Sequence, residues 1–426
     1  MLGLILRYEA VKYTQVDAHV QRADAGKYIV YAYNLKKYGV YSSYHPAKVE
    51  GHPERVKPDA QVTPGYPLFI RLFFNDSGLH INYLLLSQAI LSTLTIILAY
   101  LLFVSLGRGW ALLVALLCAC SPHLVSLSTY MLTETLFCFL LMVFLVLASR
   151  FTQARWWLFG IAGIVLALST LTRPWTQAFV IVLVIFLPLA LSRQKFMKPI
   201  VLLLGFVIVI SPWLVRNYLA IGNMTDPTLS FVSIHHGMYP DMMYNFQPES
   251  RGFAYQFDPW PENSQISAQD LFDELSSRAA ENPWVYLKWY LWGKMITVFS
   301  WDIIAGMGDI FIYPVIQTPY TNDKLFKITY NFVWVVHPIL VLLGLIGAIL
   351  AWLPSAKKHL PLAFLFLFRL LSLLVFYFLL LHIIGAPYPR YSIPMRPVTY
   401  GMAIAVLAWL TNYLKYVSSH RSDSRL

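Results

Sequence analysis

Residues 84–106 read LLLSQAILSTLTIILAYLLFVSL, an apolar run that no charged side chain interrupts. A helix needs roughly 20 such residues to cross a bilayer, because every backbone polar group must be paired internally there. The whole chain shares this character, since 58% of its 426 residues are hydrophobic and 12% are charged. An ordinary soluble domain has about 25% charged residues. The sequence therefore predicts an all-α, polytopic membrane helix bundle with outer loops and interfacial helices.

Further stretches of the same kind follow along the chain. The predicted spans are Leu84–Leu106, Trp110–Ser128, Met131–Ser149, Trp156–Leu171, Trp175–Leu191, Pro199–Val215, Ile328–Leu353, Leu360–Leu381 and Pro394–Leu414. The second and third are fused, so we place a turn between them at Pro122 and the polar run Ser128–Thr133.

Basic side chains set the expected orientation of these spans. Arg108, Arg150, Arg193 and Lys357 lie in short connectors, which belong on the cytoplasmic side. The alternate connectors then face outward. The formal charge of +11 raises the question of a nucleic-acid partner. We exclude it, because the basic residues are spread between apolar runs, where topology and anionic membrane lipids account for them.

The chain is expected to divide into five parts. These are residues 1–83 with a stub of a first helix and the first outer loop, 84–215 with six spans, 216–327 as a large outer segment, 328–414 with three spans, and 415–426 as a cytoplasmic tail. Met1–Leu6 is too short either to span a membrane or to act as a signal peptide, and we interpret it as the stub of a lost first helix. Trp284–Ser300 is aromatic but contains Lys288 and Lys294, so we predict an interfacial helix on the outer face.

Asp24 is the first candidate for chemistry. Tyr28, Tyr31, Ala32 and Leu35 follow it at spacings of three and four, which predicts an amphipathic helix that begins at this acid. The helix dipole favours an acid at that position. An isolated Asp before a helix is, however, more often only an N-terminal cap.

Glu134 is the second candidate, as the one acid between Trp110 and Ser149. A lone carboxylate in or near the bilayer is costly and is a functional candidate by default. The alternative, to which we give equal weight, is a helix N-terminal residue that reaches into water. With Asp24 it could help hold a divalent cation, but waters or phosphate would have to complete the shell. The sequence allows such a cation without requiring it, and the cofactor stays undetermined.

Arg173, Arg216, Arg390 and Arg396 all fall at outer helix ends, together with His382. The planar guanidinium fork suits phosphate and stays charged in a low dielectric. Any one of these residues is more often bound to ordinary lipid headgroups, but four at one face indicate a phosphate site. The chain lacks a Gly-rich phosphate loop, a nucleophile elbow and a zinc-protease motif. This pattern favours a donor carried by a lipid over a nucleotide sugar.

Five motifs occur in a fixed order between about Asp24 and Leu410. They are PGYPLF at Pro64–Phe69, YMLTETLF at Tyr130–Phe137, LTRP at Leu171–Pro174, SPWLVRNYLAIGN at Ser211–Asn223 and RYSIPMRP at Arg390–Pro397. Together with the acidic helix at Asp24, they resemble bacterial relatives of the protein O-mannosyltransferases and the lipid A aminoarabinose transferase. These enzymes belong to the GT-C superfamily, whose members use lipid-linked sugars.

The resemblance implies a GT-C type bundle that moves a single sugar from polyprenyl phosphate to an envelope lipid, glycan or protein, with inversion at the anomeric carbon. It implies that Asp24 is the catalytic base, and we take Glu134 as a second acid. Arg390 with Tyr391 ranks first for the lipid phosphate. The further substrate contacts that we expect are His382, Arg216, Arg173, Arg396, Tyr28 and Lys27, with no residue assigned to a metal. The expected location is the bacterial inner (plasma) membrane, with the active site on the periplasmic or extracellular face.

Other functions stay open at this point. A transporter or lipid flippase also needs many helices, but transporters tend to place paired broken helices and their site at the bilayer midplane. A catalytically inactive GT-C relative is a further alternative. A polymerase or ligase that uses diphosphate-linked oligosaccharides is the nearest enzymatic one, and it would transfer a chain rather than a single sugar.

Overall fold

The computed structural model describes residues 1–16, 23–48, 52–240, 267–301 and 315–423. These residues are largely helical, which confirms the predicted all-α class. The α-helices are α1 Leu2–Tyr13, α2 Ala23–Lys37, α3 Gly65–Arg71, α4 Ile81–Phe103, α5 Arg108–Cys120, α6 Pro122–Ser126, α7 Glu134–Ala148, α8 Trp156–Thr172, α9 Phe179–Ala190, α10 Met197–Ile221, α11 Thr228–His236, α12 Ala268–Glu281, α13 Pro283–Lys288, α14 Lys294–Val298, α15 Pro319–Asn322, α16 Lys324–Leu350, α17 Pro354–His359, α18 Leu362–Ile384 and α19 Arg396–Asp423.

Short elements complete the architecture. Strands β1 Gln15–Val16 and β4 Val315–Gln317 pair antiparallel, as do β2 Phe74–Asn75 and β3 Gly78–Leu79. Single turns of 3₁₀ helix occur at Pro46–Lys48, Pro53–Arg55, Val104–Leu106, Leu127–Thr129 and Pro174–Thr176, a longer 3₁₀ segment at Pro389–Met395, and a π-helical turn at Trp289–Gly293.

Helices lie at all the stretches that the sequence predicts as spans. Of the described residues, five helical segments are long and apolar enough to cross a membrane alone: Ile81–Leu106, Met197–Ile221, Lys324–Leu350, Leu362–Ile384 and Pro389–His420. Arg108–Cys120 and Pro122–Thr129 pass the same test as a pair bent by 55°. Glu134–Ala148, Trp156–Thr172 and Pro174–Ala190 are shorter apolar helices. The chain is therefore a multi-pass membrane protein.

The predicted turn between the second and third spans falls where Pro122 stands. Pro122 has no amide hydrogen, so α5 ends at Cys120 and α6 begins anew after Ser121. The chain then passes through a 3₁₀ turn, Leu127–Thr129, before α7 begins at Glu134. Glu134 is therefore the first residue of a helix, where its negative charge faces the positive end of the helix dipole.

Small residues bring two helix pairs into backbone contact. A methyl group at Gly163 of α8 would collide with the carbonyl of Leu202 in α10, and one at Gly205 with the carbonyl of Gly160. Gly347 of α16 meets α19 in the same way, where an added methyl would lie 2.8 Å from the Met402 carbonyl. Close backbone approach through glycine is a common way for membrane helices to associate, because dispersion contacts replace the missing hydrophobic drive.

The N-terminal helix extends beyond the predicted stub. α1 runs to Tyr13, and its Arg7 is buried in the bundle. Arg7 donates to Ser92 Oγ at 2.7 Å and to the carbonyls of Cys118 and Ala119 at 3.1 and 3.2 Å. These carbonyls end α5, so the guanidinium satisfies the last turn of a helix that Pro122 interrupts.

Residues 283–298 form a continuous helix through α13, the π-helical turn and α14. This is the segment that the sequence predicts as an interfacial helix, and its Trp284 and Trp292 are exposed. Lys294 is buried against the end of α18 instead. Residues 241–266 and 302–314 of the large outer segment lie outside the described residues.

Candidate functional site

Four charged side chains meet where several helix ends converge. Asp24 lies in the first turn of α2 and Glu134 begins α7. Arg173 follows the end of α8, and Arg390 lies in the 3₁₀ segment between α18 and α19. The start of α7 lies beside the end of α8, and the segment between α18 and α19 lies at the same end of the bundle, since Arg390 is 3.8 Å from Glu134. We call it the Asp24 end.

Ion pairs join the four residues into one group, the ionic cluster of Asp24, Glu134, Arg173 and Arg390. Nη2 of Arg390 donates to Oδ2 of Asp24. Nη1 of Arg173 lies 2.7 Å from Oε1 of Glu134, and Nε of Arg390 lies 3.8 Å from the same oxygen. Two carboxylates and two guanidiniums give the cluster a formal charge of zero, so its charges can be held in a low dielectric.

The members of the ionic cluster differ in exposure. The side chain of Glu134 is 1% exposed and that of Arg173 is 12% exposed. Arg390 is 15% exposed and Asp24 is 39% exposed. A molecule that approaches this end of the bundle therefore meets Asp24 and the edges of the two guanidiniums, while Glu134 stays behind Arg173.

Neighbouring charges control the ionisation of Asp24 and Tyr28. Burial raises the pKa of the Asp24 carboxyl, but Arg390, Arg173 and Lys27 together lower it below its ordinary value of 3.8. Burial raises the pKa of the Tyr28 hydroxyl, and the charges of Asp24 and Glu134 raise it further. At neutral pH the carboxylate is therefore ionised, and the phenol beside it keeps its proton as a hydrogen-bond donor.

Aromatic rings surround the two guanidiniums. The Tyr391 ring centre lies 4.3 Å from Cζ of Arg173 and 5.6 Å from that of Arg390. His382 contacts Tyr391, with ring centres 5.7 Å apart, and its Nδ1 donates to the Phe378 carbonyl at 2.8 Å. Stacking on a ring face holds an arginine in place while its edges stay available as donors.

The motif PGYPLF supplies supports whose roles the sequence did not reveal. A methyl group at Gly65 would lie 2.7 Å from the amide of Thr172, so the glycine lets α3 pack on the residue before Arg173. Tyr66 packs edge-on against Tyr28 with ring centres 5.3 Å apart, and its hydroxyl donates to Gln88 at 2.7 Å. Two features of the sequence marked these positions: the motif PGYPLF itself, and the polar residue Gln88 within an otherwise apolar run.

Gln88 continues this support toward Glu134. Its Nε2 donates to the carbonyl of Tyr130 at 2.9 Å, in the segment that leads into α7. Thr133, the residue before Glu134, accepts a hydrogen bond from Arg173 Nη1 at 3.1 Å. The buried half of the ionic cluster, Glu134 with Arg173, is therefore held from two sides.

Residues 57–215 match the family model described as "Dolichyl-phosphate-mannose-protein mannosyltransferase". We call residues 57–215 the GT-C segment, after the family that they resemble. The predicted resemblance is thereby confirmed. The GT-C segment includes Glu134 and Arg173, whereas Asp24 and Arg390 lie on either side of it and join it only in the folded chain.

Comparison with solved structures returns ArnT from Cupriavidus metallidurans. The form bound to undecaprenyl phosphate is 13% identical, with a TM-score of 0.44, and the match covers 96% of this chain and 75% of that one. The apo form is 12% identical, with a TM-score of 0.39, and the match covers 95% of this chain and 74% of that one. No curated protein has a sequence that matches this chain significantly.

Arg216, which directly follows the GT-C segment, forms its contacts away from the ionic cluster. Its Nη1 donates to the Asp59 carbonyl at 2.6 Å and its Nη2 to the Tyr41 carbonyl at 2.9 Å. The guanidinium also lies 5.3 Å from the Trp213 ring. We expected Arg216 among the phosphate residues, and the structure instead uses it to anchor the first outer loop to α10.

Arg396 is also separate from the ionic cluster, although we expected it with Arg390. It is fully buried between α16 and α19, and its Nη1 donates to Nδ1 of His337 at 2.7 Å. His337 in turn donates through Nε2 to the Phe299 carbonyl at 2.7 Å. Among the described residues, Nε and Nη2 of Arg396 have no hydrogen-bond partner. The side chain therefore belongs to a second polar group inside the bundle.

Lys27 is the last residue predicted to contact substrate, and the carboxylates were also considered as ligands of a divalent cation. Lys27 follows Asp24 on α2, contributes to the lowered pKa of Asp24, and donates to Gln61 at 3.4 Å. No group of three His, Cys, Asp or Glu side chains in the described part of the chain could hold a metal ion. Asp24 and Glu134 each face a guanidinium, and this positive charge opposes a divalent cation between them.

Proposed function

We propose that the chain is a membrane glycosyltransferase that moves one sugar from a polyprenyl-phosphate donor to an acceptor on the outer face of the membrane. The observation that carries the proposal is the ionic cluster, in which a partly exposed carboxylate and two guanidiniums meet at one end of the bundle. The GT-C segment between Asp24 and Arg390 supports the same reaction class.

The chemistry requires a base and a site for a leaving phosphate. Asp24 accepts the proton of an acceptor hydroxyl or amine, and the acceptor atom bonds to the anomeric carbon. The bond from that carbon to the phosphate oxygen breaks, and its electron pair stays on the phosphate. Polyprenyl phosphate thus departs with one more negative charge than the donor phosphodiester had. A single displacement of this kind inverts the anomeric carbon.

The cluster divides these tasks between its members. Asp24 is its most exposed carboxylate, so we assign it the proton. Arg390 and Arg173 offer donors to the phosphate, where charge develops as the bond breaks. Glu134 is buried against Arg173 and orients that guanidinium, with no contact to substrate. Tyr391, Tyr28 and His382 adjoin the cluster, and Lys27 adds positive charge beside Asp24.

The proposal also specifies the donor, the acceptor and the cellular membrane. The donor is a sugar on polyprenyl phosphate, and the acceptor is an envelope lipid, a glycan or a protein. The chain would lie in the bacterial inner membrane with the Asp24 end on the periplasmic or extracellular side. The basic connectors at the opposite helix ends support this orientation.

Transfer by the purified chain in detergent tests the proposal. Synthetic polyprenyl-phosphate sugars are supplied with envelope extracts as acceptors, and labelled product is measured for the wild type and Asp24→Asn. We expect the variant to lose transfer by about 100-fold or more, because general base catalysis contributes about 10²–10⁴-fold. Asp76→Asn removes an exposed carboxylate from the same outer segment and should keep full activity.

The result also separates the alternatives. Equal turnover by Asp24→Asn, with an unchanged melting temperature, would remove the base assignment. Movement of the labelled lipid across sealed vesicles without transfer to any acceptor would instead identify a flippase.

A further inference from the structure

The pairing of Asp24 with Arg390 is not the pairing that the proposed reaction needs. A carboxylate that accepts from a guanidinium is a weak base, and a guanidinium bound to a carboxylate offers less to a phosphate. Both residues are required in other partnerships, Asp24 with the acceptor and Arg390 with the donor. The ion pair between them therefore keeps each residue from the partner that the reaction requires.

The two guanidiniums of the ionic cluster differ in how firmly they are held. Arg173 donates to Glu134 at 2.7 Å and to Thr133 at 3.1 Å, and the Tyr391 ring covers it. Among the described residues, Arg390 forms its close ion pair with Asp24, whereas its Nε lies 3.8 Å from Glu134. Among the described residues, Nη1 of Arg390 has no hydrogen-bond partner, and the side chain is 15% exposed. Arg390 is thus the guanidinium that can exchange partners.

Charge balance gives the exchange a direction. The cluster is neutral by itself, since Asp24 and Glu134 offset Arg173 and Arg390. A polyprenyl-phosphate sugar adds one negative charge. The two guanidiniums then face three anions, which are the two carboxylates and the phosphate. Glu134 is buried and keeps Arg173, and Asp24 is the anion that water can solvate. Releasing Asp24 costs least, because its carboxylate is already partly exposed.

We propose that the donor phosphate takes Arg390 from Asp24 and thereby releases the base, so that the donor must bind before the acceptor. This inference rests on the proposed function and adds an order of binding to it. The phosphate group of the lipid alone causes the exchange, and neither the sugar nor the acceptor contributes to it. Asp24 stays engaged until a leaving group is in place.

Electrostatics make the released Asp24 a better base. Arg390 is the largest of the influences that lower its pKa, ahead of Arg173 and Lys27, whereas burial raises it. When Arg390 turns to the phosphate, its lowering effect weakens and a new negative charge stands nearby. Both changes raise the proton affinity of the carboxylate. The donor thus strengthens the base that will act on its own anomeric carbon.

Binding of undecaprenyl phosphate to the full chain in detergent tests the exchange without any need for turnover. The affinity is measured by intrinsic tryptophan fluorescence or by retention of tritiated lipid. Asp24→Asn removes the ion pair that the phosphate must otherwise break. We therefore expect this variant to bind the lipid about tenfold more tightly than the wild type. Asp76→Asn is the matched control and should bind like the wild type.

A double variant shows whether the gain acts through Arg390. Arg390→Gln should bind the lipid more weakly than the wild type, and adding Asp24→Asn to it should restore nothing. Equal or weaker binding by Asp24→Asn alone would overturn the exchange. A gain that persists in the double variant would overturn it as well, since Asp24 would then simply repel phosphate.

A chemical measurement on the wild type avoids the risk that a variant misfolds. Carbodiimide with a glycine ester labels protonated, accessible carboxyls, and peptide mass spectrometry reports the rate at each residue. Undecaprenyl phosphate should raise the rate at Asp24 several-fold and leave Asp76 unchanged. An unchanged or slower rate at Asp24, with lipid demonstrably bound, would contradict the exchange. Failure of the wild type to bind the lipid at all would instead contradict the proposed function.

Discussion

The ionic cluster and the polar group around Arg396 are built on two arginines of one motif, RYSIPMRP, yet they differ in kind. In the ionic cluster every guanidinium faces a carboxylate, and Asp24 and Arg390 reach solvent. Arg396 is fully buried, and its hydrogen-bond acceptor among the described residues is the ring of His337. One arginine is placed to meet a ligand and the other to lie between helices.

The difference follows from where the helix begins. Arg390 lies in the 3₁₀ segment that crosses the Asp24 end, whereas Arg396 is the first residue of α19. Helix α19 packs tightly on α16, where an added methyl at Gly344 would lie 2.9 Å from the Thr399 carbonyl. A side chain at the start of α19 is therefore enclosed. Similar residue types at neighbouring positions of a motif need not share a site.

The largest expected effect comes from removing the buried carboxylate of the ionic cluster. Glu134→Ala leaves the largely buried Arg173 without its carboxylate partner, which should cost about 3–5 kcal/mol of unfolding free energy. Denaturation of the purified variant in mixed micelles measures the loss. Adding Arg173→Met should recover most of it, because both charges are then gone. A single variant as stable as the wild type would show that the pair is not structural.

Lys294 is a buried cation that backbone carbonyls hold. Lys294 donates to the carbonyls of Ile383 at 2.8 Å and Gly385 at 3.0 Å, which end α18 beside His382. Lys294→Met should cost about 1–3 kcal/mol, because these buried acceptors lose their donor. The same denaturation assay measures it, with exposed Lys288→Met as the control.

The pH dependence sharpens the case of Lys294. Burial lowers the pKa of its ammonium from 10.5 to about 7. The unfolded chain therefore binds more protons than the folded chain between these values, so stability should rise with pH across that window. Melting curves at pH 7, 8 and 9 should show this slope in the wild type and a smaller one in Lys294→Met. Parallel slopes would contradict the assignment.

A smaller effect is expected at Arg396. Replacing a buried, poorly paired charge by an apolar side chain of similar volume is often neutral or stabilising, so Arg396→Met should change the unfolding free energy by less than about 1 kcal/mol. Transfer activity should also persist, in contrast to Arg390→Gln. A loss as large as that of Glu134→Ala would mean that an anionic group pairs with Arg396, and the comparison between the two arginines would fail.

The smallest effect concerns acid stability at Asp24. The pKa of its carboxyl is lowered in the folded chain, so its contribution is present above pH 3.8 and is lost as the pH falls through the lowered value. The side chain is partly exposed and solvent screening weakens the pair. Melting temperatures between pH 6 and 3 should fall slightly less for Asp24→Asn than for the wild type. Identical profiles would argue against the pair in solution.

The sequence predicted much of the candidate site because helix topology orders helix ends. Once the apolar runs are counted, Glu134, Arg173 and Arg390 must fall at one end, and their ion pairs agree with that. It could not predict the partners of Arg216, since these are backbone carbonyls of Tyr41 and Asp59, which carry no signal in a sequence. The roles of Gly65 and Gln88 were missed although the motif and a polar residue in an apolar run marked these positions, because both residues contact backbone atoms of distant segments, at Thr172 and Tyr130.

The amino-acid sequence by itself determined that this chain is a helical membrane protein with its charged candidates at helix ends. Apolar run length and the cost of unpaired backbone in lipid are local properties that do not depend on the tertiary fold. Only the tertiary structure decided that Asp24 pairs with Arg390 while Arg396 is sealed between α16 and α19. Pairing and enclosure depend on which helices approach closely, and that depends on packing between residues distant in the chain.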